Sequence, residues 1–173
     1  GVKVVHRCEK FSCFCDGCNK PFITNKRNNI VYSANIFVMM QSELFLDVRY
    51  YETDQMGIVH HSNYIRYFEC GRTAMLKELG LPIEKIEEAG VMLPVVSVGC
   101  NYKVPAKLGE TLKIVSMINE LPRAKLVIKT EIFNPAEQLV CEGEVVLGFI
   151  NSQTRRPVRC PDALVKIFEE NLI

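Results

Sequence analysis

Histidine is scarce in this chain, with His6, His60 and His61 the only three in 173 residues. No strand or helix beyond His61 can therefore supply an imidazole to a cysteine, which counts against a nucleophilic cysteine in the second half. Net charge is nearly absent as well, at +1, so the global balance gives no reason to expect nucleic acid or a membrane surface. Apolar residues make up 48% of the sequence, yet no run approaches the ~20 residues of a spanning helix. No early apolar stretch leads to a small-residue cleavage site, so a secretory signal is not expected. Internal repeats and low-complexity tracts are missing too.

Cysteine is not scarce. Four of the eight, Cys8, Cys13, Cys15 and Cys18, fall in the first forty residues, while Cys70, Cys100, Cys141 and Cys160 are scattered singly. Such spacing suggests no disulfide framework and makes a reducing cytoplasm the simplest compartment. A basic, acid-poor amino terminus leaves an organellar transit peptide as a minor alternative.

Residues 1–40 carry six Lys or Arg against two acids, whereas residues 41–173 carry fifteen against eighteen. Two readings of this first segment stand side by side. His6 and the four cysteines could form a small zinc or iron–sulfur knuckle, since thiolates suit such metals; but no second Cys pair follows, as structural zinc sites usually require. The favoured reading is an extension, disordered or upstream of a true start at Met39 or Met40, followed by one domain over 41–173. At this length one good core is the default.

The remainder is legible as alternating elements. Residues 44–51 alternate apolar and polar, the pattern of a half-buried strand. After a polar turn, Ser62 or Asn63 can cap a long helix with apolar residues at Tyr64, Ile65, Phe68, Met75, Leu76 and Leu79, stopped by Gly80. Pro82 opens a short helical turn through Glu88. Strands are expected over 93–104, 111–121, 125–133 and 139–150, separated by Pro, Gly and Asn turns. A last helix covers 162–171. An antiparallel sheet around one central helix, an α+β fold, is the natural packing of these parts.

The chemistry gathers between Asp47 and Arg72, where a strand runs through a glycine-containing turn into the long helix. Asp54 on that turn fits a capping role as well as a catalytic one. The run Tyr51, Glu52, Thr53, Asp54, Met56, Gly57, Ile58, Val59, His61, Tyr64, Tyr67, Phe68, Glu69 and Arg72 resembles the signature of acyl-CoA thioesterases of the 4-hydroxybenzoyl-CoA thioesterase and YbgC type. The likeness covers roughly residues 43–171. It implies the hotdog fold, an antiparallel sheet wrapped around a long helix, and hydrolysis of an acyl-CoA thioester with no metal or separate cofactor, coenzyme A being part of the substrate.

The resemblance further implies that Asp54 attacks the thioester carbonyl or activates a water, with His61 orienting it, relaying a proton or binding substrate. His60 is then a packing or pocket-rim residue. The amides of Gly57, Ile58, Val59 and His61 are the expected oxyanion hole. Tyr64, one turn beyond His61, faces the same pocket. Glu69 is a supporting or even catalytic carboxylate, or an ion-pair partner of Arg66 or Arg72, the latter being favoured. Gly71 in mid-helix marks a close packing contact. Candidates for the coenzyme A phosphates are Arg155, Arg156, Lys103 and Arg123, with Lys107 and Lys125 behind them. Family members assemble as dimers or tetramers of two dimers. A dehydratase or thioesterase acting on acyl-carrier protein, and a non-catalytic acyl-CoA sensor with a metal-binding amino terminus, remain as alternatives. The His-Phe-Pro motif of the dehydratases is missing, and a sensor would have no need of Asp54 and His61.

Overall fold

The computed structural model describes residues 13–14, 21–24, 30–32 and 40–171. The chain divides into two compact units between residues 37 and 38. In the first, β1 (Cys13–Phe14), β2 (Pro21–Thr24) and β3 (Ile30–Tyr32) pair antiparallel in that order. His6, Cys8, Cys15 and Cys18 lie outside the described residues, and with them the expectations of a metal knuckle or a disordered extension.

The second unit runs β4 (Met40–Asp47), a single 3-10 turn (Tyr50–Glu52), α1 (Asn63–Glu78), α2 (Ile83–Glu88), β5 (Val91–Met92), β6 (Val95–Tyr102), β7 (Thr111–Ile118), β8 (Lys125–Phe133), β9 (Leu139–Gly148), β10 (Ile150–Asn151) and α3 (Asp162–Glu170). The five long strands form one antiparallel sheet in the order β4-β7-β8-β9-β6. Alternation decides its inner face. Leu112, Ile114 and Ile118 on β7, then Leu126, Ile128 and Ile132 on β8, are fully buried, with Tyr67, Phe68 and Met75 of α1 in the same core. This is the hotdog arrangement of sheet and central helix.

Strand register explains how a helix fits so close. Ser42, Ser116, Thr130, Gly143 and Cys100 stand opposite one another in a row across the whole sheet. All are small. A Cβ at Gly71 of α1 would lie 2.6 Å from Ser116 Oγ and 2.7 Å from Ile114 Cγ2, and one at Gly143 would run into the Phe68 ring. The row is thus the groove that receives the helix, with Gly71 at the contact. The buried hydroxyls of Ser42, Ser116 and Thr130 have no hydrogen-bond partner among the described residues, a cost of roughly 1–3 kcal/mol each where larger side chains would not fit.

Several boundaries differ from the periodicity: β7 ends at Ile118 rather than 121 and β9 at Gly148 rather than 150. The first strand begins at Met40 rather than Leu44 and ends at Asp47, because the chain tightens into the 3-10 turn that leads to Asp54. The strand expected over 93–104 begins only at Val95, after Pro94, which has no N–H to give a ladder, and ends at Tyr102; just before it, β5 pairs with β10. On α1, Ile65 faces solvent and Tyr67 takes the core position.

Candidate active site

The turn between β4 and α1 is closed by its own backbone. Asp54 N–H donates to Ile58 O (2.9 Å) and Gly57 N–H to Asp54 O (3.0 Å). Gly57 has a φ of +74°, left-handed backbone that a residue without Cβ adopts at no steric cost. A bridge between Thr53 and Val59 pins the base of this loop, and one between Ile58 and Lys107 ties it to the segment after β6. The Asp54 carboxylate is half-buried. Its Oδ1 accepts the Met56 N–H at 2.8 Å, which fixes the group, whereas Oδ2 has no partner among the described residues.

Where the helix starts matters for the oxyanion donors. It begins at Asn63, two residues after His61, so the amides expected at its first turn lie just ahead of it. Gly57 N–H is taken by Asp54 O, and Val59 N–H donates to Ala106 O at 2.9 Å. Of the four amides, those of Ile58 and His61 alone lack an acceptor among the described residues. The His61 amide immediately precedes the positive end of α1.

His61 is exposed, and its ring lies 4.1 Å from that of His60 between centroids, tilted by 36°. The His60 Nδ1 pairs with Ser62 Oγ at 2.8 Å. No hydrogen bond joins the Asp54 carboxylate to the His61 ring among the described residues, so the two flank the loop rather than form a dyad. The Tyr102 hydroxyl donates to the His61 carbonyl at 3.1 Å, while Tyr64 accepts the Ala106 N–H at 3.3 Å. Their rings meet edge to face, 5.3 Å apart. Burial holds the Tyr64 phenol above its usual range, and the neighbouring Cys100 thiol pushes Tyr102 up to about 12. Both hydroxyls stay neutral. Glu69 is exposed and pairs with Arg72 at 3.5 Å.

Sequence reasoning missed Glu52. This carboxylate is buried, and its Oε2 accepts both Tyr67 Oη (2.9 Å) and the Arg49 N–H (2.7 Å). Its carbonyl accepts the His60 N–H (2.9 Å) and the Asn63 side-chain amide (2.7 Å). Tyr67 lies fifteen positions away, so neither helical nor strand spacing marks the pair. A buried acid whose main side-chain partner is so distant in sequence carries no period of its own.

The basic candidates separate by sheet register. Lys103 follows β6 at the Tyr102 end, beside the candidate site, and pairs with Glu142 at 3.0 Å. Lys107 bridges to Ile58 at that same end. Arg123 and Lys125 stand at the start of β8, which pairs with the other end of β9. Arg155 reaches Met92 Sδ at 3.1 Å, so Arg155 and Arg156 also belong to the Val95 end. At ~3.3 Å per residue, the two ends of β6 are roughly 23 Å apart. No cluster of metal-ligating side chains occurs among the described residues.

The sheet, the helix it encloses and the carboxylate-bearing loop define a class, and comparison with known proteins names it. The profile of the thioesterase-like superfamily matches residues 48–168. Over 121 residues the chain is 37% identical to the putative acyl-CoA thioesterase YneP of Bacillus subtilis, covering 70% of this chain and 88% of that one. It is 32% identical to the acyl-CoA thioesterase YbgC of Helicobacter pylori, covering 72% and 95%. Among solved structures, the DHNA-CoA thioesterase of Staphylococcus aureus aligns with a TM-score of 0.71 at 30% identity, over 76% of this chain and 91% of that one. The chain belongs to the thioesterase-like superfamily and has its hotdog fold.

Proposed function

We propose that the protein hydrolyses an acyl-CoA thioester to the free acid and coenzyme A, with Asp54 as the reacting carboxylate. The observation that carries this reading is the Asp54 carboxylate, held through Oδ1 by the Met56 amide with Oδ2 free of partners among the described residues. A carboxylate so placed either attacks the thioester carbonyl or takes a proton from an attacking water. The Ile58 and His61 amides stand nearby as donors to the oxyanion, each worth roughly 3–4 kcal/mol in comparable sites. His61 lies exposed beside them, whereas Tyr64 is buried and holds the Ala106 amide. The names of the relatives support the substrate class, and no metal or added cofactor enters the reaction.

The site is completed by a second copy of the chain. Among the described strands β6 is a sheet edge, with Val95, Val96 and Val98 exposed, and an apolar edge of this length invites pairing. Antiparallel pairing of β6 with its own copy sets the Val95 end of one subunit against the Tyr102 end of the other. Arg123, Arg155 and Arg156 of one subunit then approach the loop of the other, where they would meet the phosphates of coenzyme A. A dimer, or a tetramer of two dimers, is the working unit.

The test is thiol release from short-, medium- and long-chain and aromatic acyl-CoAs, with an enzyme-only blank for the protein's own cysteines. Asp54→Asn is expected to lose at least about a hundredfold in kcat on the best substrate while keeping the wild-type oligomer. Equal activity in the variant, or no release from any substrate by the wild type, would remove Asp54 from the chemistry.

A further inference from the structure

Cys100 on β6 and Cys141 on β9 are both free thiols, and their sulfurs lie 3.1 Å apart. Register explains the approach. Cys100 stands directly opposite Gly143, and Cys141 directly opposite Tyr102, so the two cysteines are diagonal neighbours on one face. With no side chain at Gly143, the Cys100 thiol can lean along the strand toward Cys141. The gap is roughly 1 Å more than the ~2.05 Å of a disulfide bond. Cys100 is partly exposed, whereas Cys141 is fully buried, and burial raises its thiol well above the ordinary range. Within a single subunit, one sulfur is thus open to a small oxidant and the other is held in reserve behind it. The pair abuts the candidate site, since Cys141 stands opposite Tyr102, whose hydroxyl holds the His61 carbonyl.

We propose that Cys100 and Cys141 form a reversible redox site that a peroxide converts to an intramolecular disulfide. In the first step the Cys100 sulfur attacks one peroxide oxygen, the O–O bond breaks, and Cys100 becomes a sulfenic acid with release of water. In the second, the Cys141 sulfur displaces that hydroxyl, which leaves as water with the Cys141 proton. Two electrons pass from the two thiols to the peroxide. A dithiol reductant reverses the change by exchange. Close placement makes the second step intramolecular, so disulfide formation outruns further oxidation of Cys100. This inference does not depend on the thioesterase reading, because the bond is detected without any turnover.

The full chain is treated with a small molar excess of hydrogen peroxide, its remaining thiols are blocked with N-ethylmaleimide, and unreduced peptides are mapped by mass spectrometry. The expected product is a peptide pair joined through Cys100 and Cys141, lost on treatment with dithiothreitol. In Cys100→Ser, whose site is partly exposed and tolerates a hydroxyl, Cys141 is expected to remain a thiol at the same peroxide dose. In Cys141→Ala, Cys100 is expected to accumulate as sulfenic or sulfinic acid. The proposal is overturned if the wild type keeps both thiols free, carries Cys100 to sulfinic acid beside a free Cys141, or joins either one to another cysteine instead. Phenylarsine oxide gives a second reading that needs no oxidant. It is expected to protect both thiols from N-ethylmaleimide together in the wild type, and failure to protect them would equally overturn the pairing.

Discussion

The Tyr67 hydroxyl on α1 donates to Glu52 Oε2 across 2.9 Å, with both residues buried. Through that contact, and through a backbone carbonyl that accepts from His60 and Asn63, Glu52 joins the turn before Asp54 to the helix after His61. Arg49, 3.9 Å from the carboxylate and largely exposed, adds little as an ion pair. The acceptor oxygen is what the fold uses.

Glu52→Gln therefore keeps an oxygen for Tyr67 and the Arg49 amide, and its unfolding free energy in urea is expected to stay within about 1 kcal/mol of wild type. Glu52→Leu leaves the buried Tyr67 hydroxyl and the part-buried Arg49 N–H without this acceptor and is expected to lose at least about 2 kcal/mol. Similar losses in both variants would show that the charge, rather than the acceptor, is required.

Burial is the main cause that raises the Tyr67 hydroxyl, with the Glu52 hydrogen bond adding to it. A phenol whose folded pKa exceeds its unfolded value stabilises the fold fully below the unfolded pKa, about 10, and loses that contribution as pH climbs above it. Stability is expected to fall from pH ~10 upward. In Tyr67→Phe, with no proton to lose, the decline should be shallower than in wild type. Parallel pH–stability curves in circular dichroism melts would refute this account.

Packing at the helix groove gives a paired test. A Cβ at Gly143 meets the Gly99 carbonyl and the Phe68 ring, whereas one at Gly99 meets nothing within 4 Å. Gly143→Ala is expected to cost about 1–3 kcal/mol through overpacking, and Gly99→Ala to stay within about 0.5 kcal/mol. Equal costs measured by chemical denaturation would contradict the groove described for α1.

Most of the long elements were legible because their periods are strong. The α1 helix begins and ends where Ser62, Asn63 and Gly80 mark it, and β8 matches its apolar alternation from Lys125 to Phe133. Gly71 was legible as a packing residue because glycine in mid-helix costs stability unless space demands it. Glu52 was not, since its partners are a helix residue fifteen positions on and backbone atoms, neither of which leaves a pattern. The occupancy of the Val59 amide was hidden for a similar reason, as it depends on Ala106, which tertiary folding alone brings to the loop. The diagonal approach of Cys100 to Cys141 depends on strand order, with forty residues of chain between them.

The edge strand offers the last test, and it separates assembly from folding. Val96 and Val98 on β6 are 67% and 39% exposed, so lysines there need not disturb the core of a single subunit, yet they would oppose pairing along the edge. The double variant Val96→Lys/Val98→Lys is expected to melt close to wild type but to elute from size exclusion as a monomer. If Arg155 and Arg156 of one subunit serve the loop of the other, that monomer should also lose at least about tenfold in kcat/KM on acyl-CoA, and Arg156→Ala in the intact dimer should raise KM with kcat little changed. A monomer with full activity would place the whole site within one chain. A variant that still elutes with the wild type would move the interface to another surface, leaving the exposed valines of β6 without the role given to them.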